Sequence, residues 1–344
     1  MDPLTQVLLG AAVGHATLGA RVGRKALFWG AVFGGMPDLD VLIPHADDVA
    51  AVTHHRGFSH SLFTHTFIAP ALGAGLARLH AADGVSVMRW SLLAWLALVT
   101  HALLDATTIY GTQLFWPGSS PPVGLGSIFI IDPIYTLLLL VGVLWAVFGR
   151  RPVVGRRANG IGLGLSTAYL VAAILIQAQV RDIAESELAR QGVGSDRLIV
   201  TPTPFNLVLW RAIAMTPPGY REGYYSLFDA SPEIRFEHYG NDENLLRTIA
   251  DAPAVERLRW FTRGFYRVRE IDGRVQISDL RMGYEPHYVF SFDVGYRSGH
   301  EGDVRPLVPP QRAPAKRPDA EALRWVWRRM LGESAWTEPG SGAE

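Results

Sequence analysis

The sequence predicts a mainly α membrane helical bundle of about six transmembrane helices, followed by a small soluble α+β domain. Three observations lead there. Long apolar runs with few charges fill the first half of the 344 residues, whereas most acids and many arginines follow residue 180 or so. Each run approaches the ~20 residues that cross a hydrocarbon core. The later half instead carries short β-branched and aromatic stretches separated by turn residues.

The expected spans are residues 4–20, 26–43, 61–79, 90–110, 131–149 and 160–178. The first is rich in Gly and Ala and suits a closely packed helix. The second is interrupted by Gly34, Gly35 and Pro37. The fifth is the most apolar, and Trp145 with its flanking arginines reads as an interfacial anchor. The opening Met-Asp-Pro lacks a basic stretch ahead of the apolar run, which favours a retained helix over a cleaved signal. Under six spans, the basic groups Arg21/Arg24/Lys25, Arg78/Arg89 and Arg150/Arg151/Arg156/Arg157 share one side, the cytoplasmic one. Residues 1–180 are then a domain embedded in the bacterial inner membrane, and the remainder lies on the outer face.

Beyond a polar helical extension at 179–191, residues 181–297 read as an extramembrane α+β domain. Strands are expected at 197–200, 265–269, 275–278 and 288–292, with a helix at 244–250. Asp272-Gly273 is a hairpin turn signal between two of the strands. Residues 298–344 comprise a Pro/Gly-rich linker, 298–318, and an amphipathic helix. That helix carries Leu323, Val326, Trp327, Met330 and Leu331 on one face, as a docking helix would.

Composition narrows the function classes. Formal net charge is zero, so no basic field points to nucleic acid. Cysteine is absent, which removes disulfides and leaves only nitrogen and oxygen as metal ligands. The sequence shows no phosphate-binding P-loop, dinucleotide fingerprint, Gly-x-Ser-x-Gly elbow or His-Glu-x-x-His pair.

Ionisable residues are expensive at membrane depth and mark function when they cluster. Here Asp38 and Asp40 close the second segment, His54, His55, Arg56 and His60 lead into the third, and His101 and Asp105 lie in the fourth. His101 and Asp105, four apart, share one helix face and can share one ion. His55 and His60 straddle Gly57, so both can converge from a turn. Asp38 and Asp40 can bind directly or orient a histidine. Singly, each has a bland reading as a cap, a solvated loop residue or a packing histidine; together they point to a metal site. The expected ligands are Asp38, Asp40, His55, His60, His101 and Asp105, and Asp40 and Arg56 are the expected catalytic residues. Imidazole with carboxylate suits one or two divalent ions, zinc first and manganese or iron next. Arg56 can meet an anionic substrate or pair with Asp38 or Asp40.

Met1-Asp-Pro-Leu-Thr5, Met36-Pro-Asp-Leu-Asp40, His55-Arg-Gly-Phe-Ser-His-Ser61, Thr100-His-Ala-Leu-Leu-Asp105, Tyr110-Gly-Thr112 and Ile131-Asp-Pro133 together resemble the YdjM-type inner-membrane metal-dependent hydrolases. The likeness continues in Thr203-Pro-Phe-Asn206 and Ser278-Asp-Leu-Arg-Met-Gly283. Gln6 stands where family members often carry histidine, and His15 lies deeper in the same segment. The family is distantly similar to zinc-dependent phospholipase C and the S1/P1 nucleases, and His101-x-x-x-Asp105 matches their arrangement best. The resemblance implies a membrane-bound hydrolase of a phosphoester or lipid-linked substrate. The alternatives are a non-catalytic, metal-stabilised membrane protein whose outer domain binds a partner, and a metal or proton transporter.

Overall fold

A computed structural model describes residues 1–118, 120–195, 197–298, 303–314 and 320–333, with backbone alone at Ala322 and Leu323. The chain forms two compact units. The first comprises Met1–Ile43, His55–Ile174 and Pro204–Asn206; the second comprises Pro44–His54, Leu175–Thr203 and Leu207–Glu344.

In the first unit, Asp2 caps α1 (Pro3–Val22) by accepting from Thr5 N, with Pro3 at the first helical position. α2 (Arg24–Gly35) lies against it through glycines: a Cβ on Gly10 would stand 2.3 Å from the Gly30 carbonyl oxygen, and one on Gly34 2.6 Å from that of Gln6. A 3-10 turn, Pro37–Leu42, ends this hairpin. The chain then contributes α3 (Asp48–His54) to the second unit and returns through a 3-10 turn, Phe58–His60, into α4 (Leu62–Leu79) and α5 (Val87–Thr107). α6 (Pro133–Phe148) is capped by Asp132, and Tyr135, Leu139, Gly142 and Val143 form its buried stripe at helical spacing. Tyr135, Leu139 and Val143 join Leu8, Leu9, Ala11, Val13 and Leu104 in one core. α7 (Pro152–Arg190) belongs to this unit as far as Ile174 and to the second from Leu175.

The expected bundle of six spans is not what forms. Among the described residues, two helices are long and apolar enough to cross a membrane, α5 and α7, and α6 is a shorter apolar helix. The reason is length and composition. α2 has 12 residues and thus about 18 Å of rise, against a core of about 30 Å. α1 dilutes its Leu and Val with Gly and Ala and buries Gln6 and His15. α4 carries Thr64, His65, Thr66 and Pro70. With two candidate spans in place of six, the basic groups no longer alternate in the way that put the C-terminal unit outside.

The second unit contains more sheet than expected. β1 (Arg197–Pro202), β2 (Leu209–Thr216), β3 (Gly219–Ser226) and β4 (Phe236–Gly240) form an antiparallel sheet in that order. α8 (Pro253–Thr262) precedes β5 (Tyr266–Ile271) and β6 (Arg274–Asp279), then come the short pair β7 (Gly283–Tyr284) and β8 (His287–Tyr288), β9 (Ser291–Arg297) and β10 (Val304–Arg312). The second four-stranded sheet runs β10-β9-β6-β5. Asp272 and Gly273 both have positive φ between β5 and β6, as the hairpin turn requires. Val49 of α3 packs with Val255 and Leu258 of α8 and with Val268, Ile277 and Phe292 of this sheet. The stretch 244–250 is a 3-10 helix, Glu243–Ile249. β10 occupies the segment expected as a linker.

α9 (Ala320–Met330) lies where the amphipathic helix was expected, and Val326 and Met330 of the expected face pack against the cluster of Leu209, Tyr224 and Trp325. Trp325 is buried edge-on against Tyr224, whereas Trp327 and Leu331 are exposed. The side chain of Leu323, named for the expected face, lies outside the described ones.

A candidate metal centre

Four side chains from three separate segments meet in the first unit. Asp38 comes from the 3-10 turn after α2, His60 from the turn before α4, and His101 and Asp105 from successive turns of α5. One ligand atom from each lies within 4.8 Å of all the others. His60, His101 and Asp105 are fully buried, and the Asp38 side chain is 17% exposed.

Hydrogen bonding fixes which nitrogens face inward. The His101 Nδ1 lies 2.6 Å from the Gly34 carbonyl oxygen, which can only accept, so Nδ1 carries a proton and, in the neutral ring, Nε2 has the lone pair. The Ser59 hydroxyl donates to Asp40 Oδ2 at 2.5 Å, so toward His60 Nδ1, 2.9 Å away, it is left to accept. His60 is thereby held in the same tautomer as His101. The two bare Nε2 atoms face one another at 3.0 Å. Two lone pairs in such a position repel unless a cation or a proton lies between them.

The surroundings suit a cation. His60 Nε2 and His101 Nε2 each lie 3.5 Å from Asp38 Oδ1, and they lie 3.2 and 3.6 Å from Asp105 Oδ2. Nitrogen ligands of a tetrahedral zinc sit about 3.3 Å apart, close to these separations. Asp38 Oδ2 and Asp105 Oδ2 are buried acceptors without a hydrogen-bond partner, an unfavourable condition that a metal ion relieves. The four residues present therefore fit a divalent cation.

Asp40 and His55, expected as ligands, are not among the four. His55 Nδ1 donates to Asp40 Oδ1 at 2.7 Å, and the Arg56 amide donates to Oδ2 at 3.0 Å. Burial pushes the Asp40 carboxyl up, but the hydrogen bonds from His55 and Ser59 outweigh it and hold it below its usual range. Asp40 thus serves as a hub that orients His55 directly and His60 through Ser59. His55 is 21% exposed and packs edge-on against Tyr110.

Arg56 is buried and has φ of 62°, an uncommon conformation for a non-glycine residue. Its Nε lies 3.1 Å from Asp105 Oδ2, NH1 donates to Thr108 Oγ1, and its guanidinium stacks over the Tyr110 ring. It pairs with Asp105, where the sequence suggested Asp38 or Asp40.

Two contributors escaped sequence reasoning. A serine between two aromatic or histidine neighbours gives no signal, so Ser59 was invisible. Gln6 donates to Asp105 Oδ1 at 2.9 Å and to the His101 carbonyl, and its Oε1 is buried without a partner. The signal for Gln6 existed: an amide on the buried face of an apolar helix, at the position where the resemblance expects histidine. The Met1 amine also pairs with Asp105 Oδ1. His15 and His65 lie apart from the four: His65 bonds the Ser59 carbonyl, and His54 bonds the Ala50 carbonyl in the second unit.

These residues fall in the part of the chain, residues 1–180, that matches the model of the YdjM inner membrane protein family. The match covers more than half of the chain. The chain belongs to the YdjM family. A protein named YfhP from Bacillus subtilis strain 168, described as uncharacterized, is 26% identical over 328 residues, covering 89% of this chain and 93% of its own length. No solved structure matches. The inner-membrane family together with α5 and α7 supports membrane association.

Proposed function

We propose that this YdjM family member is a membrane-bound metal-dependent hydrolase acting on a phosphoester or lipid-linked substrate. The observation that carries the metal half is the pair of His60 and His101 Nε2 atoms, 3.0 Å apart and flanked by the buried Asp105 and the half-buried Asp38. Asp38, His60, His101 and Asp105 hold one divalent ion, with zinc first and manganese or iron next by donor type. When bound, such an ion supplies Lewis acidity, polarising a phosphoryl or acyl oxygen and making water nucleophilic near neutral pH.

The chain's own residues do the rest. Arg56 places positive charge against Asp105 and limits repulsion between the carboxylates. Asp40 fixes the His55 ring by its Nδ1–H, leaving Nε2 as the more accessible nitrogen at the edge of a buried cluster. His55 is therefore the residue placed to carry a proton to or from a reacting oxygen, with Asp40 acting through it.

A second reading has its own supporting observation. Four protein ligands already complete a tetrahedral zinc site, as in structural centres, whereas catalytic zinc keeps an open position. The test is metal analysis of purified wild type, His101→Ala and Asp105→Ala, combined with a hydrolysis screen on phosphodiesters and phospholipids. Metal bound to wild type and lost from both variants, with hydrolysis lost in parallel, is the expected result. Equal metal in all three removes the site. Metal-dependent melting without hydrolysis selects the structural reading.

A further inference from the structure

α6 and α7 enclose an apolar groove on the first unit that has no part in the metal cluster. Leu137, Leu138, Val141 and Trp145 line it from α6, and Val154, Ile161 and Leu165 line it from α7, around a volume of about 480 Å³. The α7 contributors recur at helical spacing and form a stripe about 16 Å long. Gly142 and Gly162 bring the helices together along its floor: a Cβ on Gly162 would stand 2.6 Å from the Leu138 carbonyl oxygen.

One end of this groove is basic. Arg157 lines it, and Arg150, Arg151 and Arg156 lie in the preceding turn and the first turns of α7. No Asp or Glu occurs between Asp132 and Asp182. Among the described residues, no carboxylate pairs with any of the four arginines. Cations at a helix N-terminus also oppose the macrodipole, so an anion there is favoured by both the side chains and the helix end. An apolar slot with an unneutralised cationic mouth is complementary to an amphiphile with an anionic head.

We propose that the α6–α7 groove binds an anionic phospholipid of the bilayer, one acyl chain lying along Val141, Ile161 and Leu165 and the phosphate meeting Arg157 and its neighbours. The site selects by head-group charge, which distinguishes it from the general lipid contact of an apolar helix. It stands independently of the metal reading.

Trp145 supplies the probe. The full-length protein is placed in nanodiscs containing tail-brominated phosphatidylglycerol or tail-brominated phosphatidylcholine, and the Trp145 signal is taken as wild type minus Trp145→Phe. A roughly fivefold preference for the anionic lipid is expected per arginine engaged. Arg157→Gln reduces that preference, and Ile161→Phe, which narrows the slot and keeps the charge, weakens quenching by both lipids. Equal quenching by the two lipids in wild type overturns the proposal, as does an unchanged preference in Arg157→Gln. A Trp145 shielded from both lipids in a dimeric particle also overturns it, because a second copy then occupies the groove.

Discussion

In the second unit, Arg211 and Glu222 are buried together and wholly engaged. Arg211 makes two hydrogen bonds of 2.6 Å to Glu222 and one to the Leu280 carbonyl, while Tyr224 and Tyr288 also donate to Glu222. Glu285 nearby accepts from Tyr220, Arg267 and Arg269. In the first unit, His60, His101 and Asp105 are buried to a similar degree beside a half-buried Asp38, yet Asp38 Oδ2 and Asp105 Oδ2 have no hydrogen-bond donor and the His60 and His101 Nε2 atoms oppose one another at 3.0 Å. In the second unit's cluster each buried carboxylate is met by a guanidinium. The first unit's cluster is assembled by Gly34, Ser59 and Arg56, and it retains acceptors that a metal ion could use. Burial of charge alone therefore does not mark a site; the unpaired acceptors do.

The contrast can be broken most forcefully at Arg211. Arg211→Ala leaves Glu222 charged and unpaired, and is expected to lower stability by about 3–5 kcal/mol in chemical denaturation. Metal added to that variant should not restore the loss. Ser59→Ala acts on the open cluster: it frees the His60 tautomer and is expected to weaken metal affinity by about 10–100-fold in chelator competition, with Ser59→Thr restoring it. An unchanged affinity would remove Ser59 from the centre.

Acid separates the clusters further. Burial raises the Glu285 carboxyl, but Arg267 and Arg269 outweigh it and leave it below its ordinary value. A depressed folded-state pKa stabilises above the unfolded value of about 4.3 and is lost as pH falls through the folded value. Denaturation midpoints should therefore decline below about pH 4.3, and Glu285→Gln should flatten that decline. The smallest expected effect lies at the hairpin between β5 and β6. Gly273 has φ of 73° with open space around it, so Gly273→Ala should cost only about 1–2 kcal/mol of backbone strain in a thermal melt.

The same contrast explains what the sequence could reveal. Asp38, His60, His101 and Asp105 were legible because ionisable groups stand out in apolar segments. That Asp38 joins the cluster while Asp40 stands beside it was not, since the two differ only in which neighbours the fold brings to them. Among the strands, β5 and β6 announced themselves through a hairpin signal, whereas β2, buried along nearly its whole length with Arg211 inside, shows no alternation. β10 contains Pro306, Pro309 and Pro310, which read as a linker. It is an edge strand, where missing amide donors are tolerated. The excess of expected spans arose from taking apolar runs near 20 residues long as spans, when α2 has only 12 helical residues and α1 buries Gln6 and His15.

The glycine seam between α1 and α2 has a consequence for variation in this chain. Gly34 offers its carbonyl to His101, and its Cα sits within 2.6 Å of where a Cβ on Gly10 would be. A single methyl at residue 10 would push that carbonyl away from the imidazole. In a random mutant library scored for metal retention, loss should then map to Gly10 and Gly30 as well as to the ligands. Selection would thus guard positions that carry no functional group at all, and the pattern of tolerated substitutions would trace the scaffold of the centre as plainly as its chemistry.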